Sequence, residues 1–197
     1  PDQYYHLLAE VMKRAYADRS QYIGDPDFFK SPFLELTKMD YANKVRERIN
    51  LAKTTPSQEI GSGEFLPKEK KHTTHLSIID QEGNAIASTL TINDTFGSRL
   101  AVPGTGIFMN DEMDDFSAKP GKKNIYGLQS GESNSIAPGK RPVSSMSPTV
   151  FLKEGKPILA VGGAGGSRII SSVAQVSLNY LFVTPKDAKK ALFAPRM

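Results

Sequence analysis

The order of pattern types along the chain predicts a layered α/β domain with a largely antiparallel sheet. Three observations carry this. Helical periodicities open the chain, two pairs of strand-like runs follow, and a glycine-rich run feeds another helical periodicity near the end. Strands joined by short turns pair antiparallel, and helices before and after them supply covering layers.

In order, "YYHLLAEVMKRAYADRSQYIG" places Leu7, Leu8, Val11, Met12, Ala15 and Tyr16 on one helical stripe, with Gly24 as a stop. "DPDFFKSP" reads as turns, and Tyr41–Leu51 as a second, shorter, charge-rich helix. Lys53–Lys71 holds no sustained period and reads as a loop of about 20 residues, a length that is usually functional or disordered. "THLSIID" and "AIASTLTIN" flank the turn "QEGN" as a hairpin. Residues 101–142 are dense in Gly, Pro, Asn and charge and read as loops. "SPTVFLK" and "KPILAVGG" pair around "EGK". Ser167–Leu181 spaces Ile169, Val173, Val176 and Tyr180 as a helix entered through "GGAGGSR". "TPKDAKKALFAPR" reads as a last short helix, begun by Thr184 and ended before Pro195.

The 197 residues suit one domain, and 39% hydrophobic against 23% charged residues allow a packed core. A net charge of +4, spread over separated lysines without interleaved aromatics, argues against nucleic acid as a partner. Without cysteine, thiol nucleophiles, disulfides and zinc–cysteine sites are excluded. No apolar run approaches the ~20 residues of a membrane span. "PDQYYHLLAE" has no basic n-region or apolar h-region, so no signal peptide is visible, and the missing initiator methionine points to a piece of something longer.

Several short stretches can carry chemistry, each beside a plainer reading. A cut between His72 and Thr73 would give Thr73 a free α-amine, whose reference pKa near ~8 makes it a usable base for its own hydroxyl. Equally, Thr73 and Thr74 are β-branched residues opening a strand. His72 and His75 straddle the pair, but no matching acidic ligands lie nearby, and His75 reads better as a hydrogen-bonded strand residue. "NDEMDDF" offers Asp111, Glu112, Asp114 and Asp115 as a solvated turn, or as a site for a cation or an amino acid's ammonium. In "RPVSSMSPT", Ser144, Ser145 and Ser147 either cap turns or hold a carboxylate; the stretch is no G-x-S-x-G elbow. "GGAGGSR" is a tight strand-to-helix turn, or a set of N–H donors able to stabilise an oxyanion.

Taken together and in order, "TTHLSIID", "TLTINDTFG", "NDEMDDFSAKPG", "NIYGL", "KRPVSSMSPT", "GGAGGSRII" and the closing "APR" resemble the γ-glutamyltranspeptidases, members of the N-terminal-nucleophile hydrolase superfamily. "AEVMKRAYADRSQYIGDPDF" resembles the end of that family's large subunit, so the resemblance spans nearly the whole chain. It implies an αββα sandwich, incomplete in this chain, with residues 1–72 from the large-subunit region and processing loop and 73–197 from the small catalytic subunit. It also implies self-cleavage between His72 and Thr73, which makes Thr73 the nucleophile that accepts the γ-glutamyl group of glutathione or another γ-glutamyl donor. Water, an amino acid or a dipeptide then takes that group. No cofactor or metal is implied, and the protein partner is the remainder of the precursor's large subunit, in a heterodimer.

The resemblance carries roles to particular positions. Thr91 matches the threonine that supports the nucleophile. Asn93, Glu112 and Asp115 match residues around the α-amino end of the glutamyl group, and Ser144 and Ser145 the pair on its α-carboxylate. Gly165 and Gly166 match the oxyanion-hole donors, and 120–131 with Tyr126 the lid over the pocket, which favours a glutathione-type enzyme. Glu112 stands where many bacterial members have glutamine, and Ala164 where they often have proline. Part of the large subunit, including an arginine for the substrate carboxylate, and the end of the small subunit are expected outside these residues. Periplasmic or extracellular placement is implied only by the family.

Overall fold

The computed structural model describes residues 2–60, 73–125, 127–128 and 130–197. They fall into two compact units, Pro1–Pro67 with Met113–Val143, and Lys68–Glu112 with Ser144–Met197. No helix among the described residues is long and apolar enough to cross a membrane.

The first unit is built on α1 (Asp2–Tyr22), with the short helices α2 (Phe33–Leu36), α3 (Met39–Glu47) and α4 (Ser57–Ile60). The apolar stripe places α1 correctly but misassigns its buried side. Leu7 and Val11 are exposed, whereas Leu8, Glu10, Ala17 and Ser20 are buried. The reason is polar: Glu10 accepts hydrogen bonds from Lys13, from Arg14 at 2.6 Å and from the Thr55 N–H at 3.1 Å. Lys13 and Arg14 in turn donate to the carbonyls of Thr55 and Arg48. This network, rather than the stripe, fastens residues 48–55 to the helix. α4 also interrupts the long loop expected over Lys53–Lys71, whose part from 61 on lies outside the described residues.

Burial pushes the Glu10 carboxyl up, but hydrogen bonds from Lys13, Arg14 and Thr55 outweigh it and hold it at about 2. Because the folded value lies below the ordinary 4.5, the stabilisation is complete above pH ~4.5 and is lost as pH falls toward 2. Glu10→Gln in the natural protein is therefore expected to lower Tm on the order of 5–10 °C at pH 7. Thermal unfolding across pH checks this: the gap from wild type must narrow between pH ~4.5 and ~2.

A second buried carboxylate joins distant parts of the same unit. Asp25 accepts the backbone N–H of Arg141 at 2.8 Å and its guanidinium at 3.0 and 2.5 Å. Arg141 also reaches Asp27 at 2.6 Å. The Arg141 guanidinium and N–H thus hold the Asp25 carboxyl well below the usual carboxylate range.

The second unit contains two antiparallel hairpins, β1 (Thr73–Ile79) with β2 (Ala85–Thr91), and β3 (Thr149–Lys153) with β4 (Lys156–Val161). In the first turn both Asp80 carboxylate oxygens accept from Asn84, through its N–H and its side-chain amide, each at 2.7 Å. In the second, Glu154 and Gly155 both take positive φ, 53° and 76°, as a two-residue turn matched to strand twist requires. The β3–β4 register slips between Phe151 and Leu152, where Leu152 faces Pro157, a residue with no N–H to give the ladder.

Along β1–β2, Thr73, His75 and Ser77 lie opposite Thr91, Thr89 and Ala87 on one face, and Leu76 and Ile78 opposite Ser88 and Ile86 on the other. The first face turns toward β4, because the His75 ring closes against Gly162, where an added Cβ would sit 2.1 Å from its Cε1. The second leaves Leu76, Ile78, Ile86 and Leu90 exposed. Beyond β4 comes α5 (Ile169–Leu178), whose Ile169 and Val173 pack with Val161, Phe151, Leu159 and Met146. Burying each such side chain contributes about 1.5–3 kcal/mol. The result is helix on hairpin on hairpin, three layers of an αββα order.

α5 continues through a π-helical turn at Asn179–Val183, and Tyr180 donates to the Ile158 carbonyl at 3.3 Å. The last helix, α6 (Ala188–Phe193), begins later than expected. Its cap is Asp187, which accepts the Lys190 N–H at 2.9 Å, because Thr184 is occupied bonding back to the Asn179 carbonyl.

Candidate active site

Thr73 is the first residue of β1 and Thr91 the last of β2, so the strand register places them directly opposite each other. The Thr73 hydroxyl donates to Thr91 Oγ1 at 3.3 Å, and that same oxygen accepts the Asn93 N–H at 2.9 Å. Asn93 is 5% exposed, takes φ 76°, which asparagine tolerates better than most residues, and donates its side-chain amide to the Asp111 carbonyl at 3.2 Å. Asp111 then accepts the Asp94 N–H at 3.0 Å, and Glu112 donates its N–H to Asn110 Oδ1 at 3.0 Å. One continuous chain of hydrogen bonds therefore runs from the strand start to the acid run.

Two residues from Thr73, His75 has both ring nitrogens engaged, Nδ1 with Thr89 at 2.8 Å and Nε2 with Ser77 at 2.7 Å. That matches the strand reading and leaves its ring as a fixed spacer against Gly162. Three residues on from Gly162, Gly165 and Gly166 take φ 137° and 55°, which a Cβ would strain. The Gly165 carbonyl accepts the Arg168 N–H at 3.1 Å, and the buried Ser167 and Ile169 carry the turn into α5. Ser144 Oγ accepts the Met146 N–H at 3.1 Å, and the Ser145 carbonyl accepts from Ser147 Oγ at 3.2 Å, so both serines belong to a tightly turned segment.

In the first unit the acid run changes character. Asp114 accepts the Ile125 N–H at 3.1 Å and so anchors the loop expected as a lid. Within that loop Asn124 and Leu128 bond backbone to backbone at 3.0 Å, and Gly131 donates to the Ser20 carbonyl at 2.8 Å. Tyr126, like His72, lies outside the described residues. Asp115 has a neighbour that sequence reasoning missed. Burial lowers the proton affinity of Arg19 from α1, while Tyr16 and Asp115 act to raise it. Arg19 also donates to the Val143 carbonyl at 3.2 Å. Asp111, expected to face solvent, instead holds the Asp94 amide, because a five-residue stretch with four acids must also satisfy the backbone of its own turns.

Thr91→Val tests the threonine pair. Valine keeps the branched shape but removes the oxygen that receives both Thr73 and Asn93, leaving a buried N–H unpaired at about 1–3 kcal/mol. The variant is expected to lose on the order of 10–100-fold of any reaction carried by the Thr73 hydroxyl, read from initial rates of the natural protein.

The model of the family described as Gamma-glutamyltranspeptidase matches residues 1–197. The chain is 50% identical over 173 residues to the glutathione hydrolase proenzyme of Escherichia coli strain K12, covering 88% of this chain and 30% of that protein. It thus spans about a third of the length of the curated relatives it matches. Among solved structures, a γ-glutamyltranspeptidase mutant of Helicobacter pylori matches with a TM-score of 0.60 and 50% identity, over 62% of this chain and 66% of that one. The cephalosporin acylase of Bacillus halodurans matches with a TM-score of 0.75 and 27% identity, over 98% of this chain and 32% of that one. The fold is therefore that of the N-terminal-nucleophile hydrolases, present here in part.

Proposed function

The chain belongs to the γ-glutamyltranspeptidase family, and from that premise we propose that it supplies the processing junction and catalytic threonine of a γ-glutamyl transferase and hydrolase acting on glutathione and related compounds. One observation carries the reading most directly: the Thr73 hydroxyl is held by Thr91, whose own oxygen is fixed by the Asn93 N–H. A hydroxyl pinned at a strand's first residue is where an N-terminal nucleophile has to be.

Processing comes first. Thr73 Oγ1 attacks the carbonyl carbon of His72, the His72–Thr73 amide bond breaks, and the resulting ester is hydrolysed. The Thr73 nitrogen, an amide before this step, becomes an amine able to accept a proton near neutral pH. In turnover that amine takes the hydroxyl proton as Oγ1 attacks the γ-amide carbon, then passes it to the leaving amine. Gly165 and Gly166 donate N–H groups to the oxyanion. Water, an amino acid or a dipeptide next attacks the γ-glutamyl ester and frees Thr73.

Recognition divides by charge. Asp115, with Glu112 and Asn93, holds the α-ammonium side of the donor, and Ser144 and Ser145 hold its α-carboxylate. Tyr126 belongs to a lid that shields the ester from water. Residues 1–72 and 73–197 would become parts of two polypeptides that stay associated. Export to the periplasm or beyond belongs to the same reading.

A second reading is favoured by the exposed Leu76, Ile78, Ile86 and Leu90: residues 1–197 alone are catalytically incompetent, because this face requires further covering sequence. Intact mass and turnover of a chromogenic γ-glutamyl anilide test both. The full natural protein is expected as two polypeptides, one beginning at Thr73, with activity; residues 1–197 alone are expected to show none. Undiminished turnover by a single uncut polypeptide would overturn the first reading, and turnover by the isolated residues the second.

A further inference from the structure

We propose that Asn134 is a positioning residue that sets the separation between Asp115 and Val143, the residue that leads into Ser144. The proposal rests on the reading above, in which Asp115 grips the donor's ammonium and Ser144 its carboxylate.

Asn134 is 1% exposed, at the end of a short 3-10 turn, Glu132–Asn134. Its side-chain amide is divided between two loops. Nδ2 donates to the Asp115 carbonyl at 2.7 Å, and Oδ1 accepts the Val143 N–H at 3.1 Å. Its backbone is used as well: the carbonyl accepts the Ser117 N–H at 2.8 Å and the N–H donates to the Gly131 carbonyl at 3.3 Å. The other backbone group of Val143, its carbonyl, accepts from Arg19, whose charge also faces Asp115. Both backbone groups of Val143 are thus held by side chains, and both of those side chains also engage Asp115.

A primary amide suits this place because it offers one donor and one acceptor in a rigid plane. Aspartate keeps the acceptor for Val143 but sets a charged oxygen against the Asp115 carbonyl. Glutamine keeps both groups but displaces them by one methylene. The precision matters because ammonium and carboxylate sit on one carbon of the donor, so their two grips must keep a fixed spacing. A misplacement of about 1 Å costs on the order of 100-fold.

The test compares three anilide donors in the full natural protein: γ-glutamyl, its analogue lacking the α-amino group, and its analogue lacking the α-carboxylate. Asn134→Asp is expected to raise KM for the γ-glutamyl donor on the order of 10–100-fold, with kcat much less affected. Each analogue, having one grip only, should lose less than about threefold in kcat/KM, so the wild-type preference for the complete donor shrinks. An unchanged donor KM would overturn the proposal, as would an equal loss on all three donors, which is the mark of a merely structural residue. If wild type shows no preference for the complete donor, the two-grip reading itself fails and takes this proposal with it. Should the aspartate variant not fold, Asn134→Gln is measured against the same three donors, and the same results support or overturn the proposal.

Discussion

Thr73→Ala in the full natural protein is expected to leave one uncut polypeptide with no γ-glutamyl transfer or hydrolysis. In the proposed mechanism one oxygen serves both reactions, first against the His72 carbonyl and then against the donor's γ-amide carbon. Alanine removes it while keeping the strand, because the β1–β2 ladder at Thr73↔Thr91 is a backbone pairing. No cysteine lies within residues 1–197 to substitute as nucleophile. Thr91 cannot take over readily, since an internal residue never gains an α-amine to activate it. The loss in rate should be at least about 10⁴-fold, as when the nucleophile of a covalent mechanism is deleted. A denaturing gel and an anilide assay read the two outcomes separately, and mature-sized subunits from this variant would refute the assignment. Thr73→Ser keeps the hydroxyl and gives up a methyl group and its χ1 restriction, so slowed but real processing is expected.

How much of this is legible in the sequence depends on the kind of interaction. Both hairpins can be read because alternation and turn residues are local, and Ile169, Val173 and Val176 pack as their spacing says. The threonine pair is legible only through the resemblance. Nothing in the spacing of Thr73 and Thr91 says that a five-residue turn brings them opposite each other, yet the register that does so is set by that turn. The buried side of α1 is misread because Glu10 satisfies two basic neighbours and the Thr55 amide, a long-range polar arrangement without a period. Asn134 and Arg19 escape notice for the same reason. Their work is done by hydrogen bonds to backbone carbonyls and amides far along the chain, and a backbone partner leaves no trace in residue identity.

Asp115→Ala is expected to raise the donor KM far more than Asp111→Ala, and the structure separates the two effects by kind. Removing Asp115 deletes the acid proposed to meet the donor's ammonium. It also takes from the half-buried Arg19 a negative neighbour that supports its charge. The guanidinium that remains is then a positive charge no longer offset by Asp115, which disfavours an ammonium beside it. Breaking such a desolvated pair from one side costs on the order of 3–5 kcal/mol, or roughly a 10²- to 4 × 10³-fold rise in KM. Asp111 carries a different load. Its carboxylate accepts the Asp94 N–H at 3.0 Å, next to the strained Asn93 at φ 76°. Losing that acceptor leaves a partly buried amide unsatisfied, at about 1–3 kcal/mol of stability. Asp111→Ala should therefore lower Tm and slacken Asn93, with a KM change within about tenfold. Steady-state kinetics and thermal unfolding of both variants decide the matter. A larger KM change in Asp111→Ala than in Asp115→Ala would move the ammonium site from the Arg19 side of the acid run to the Asn93 side.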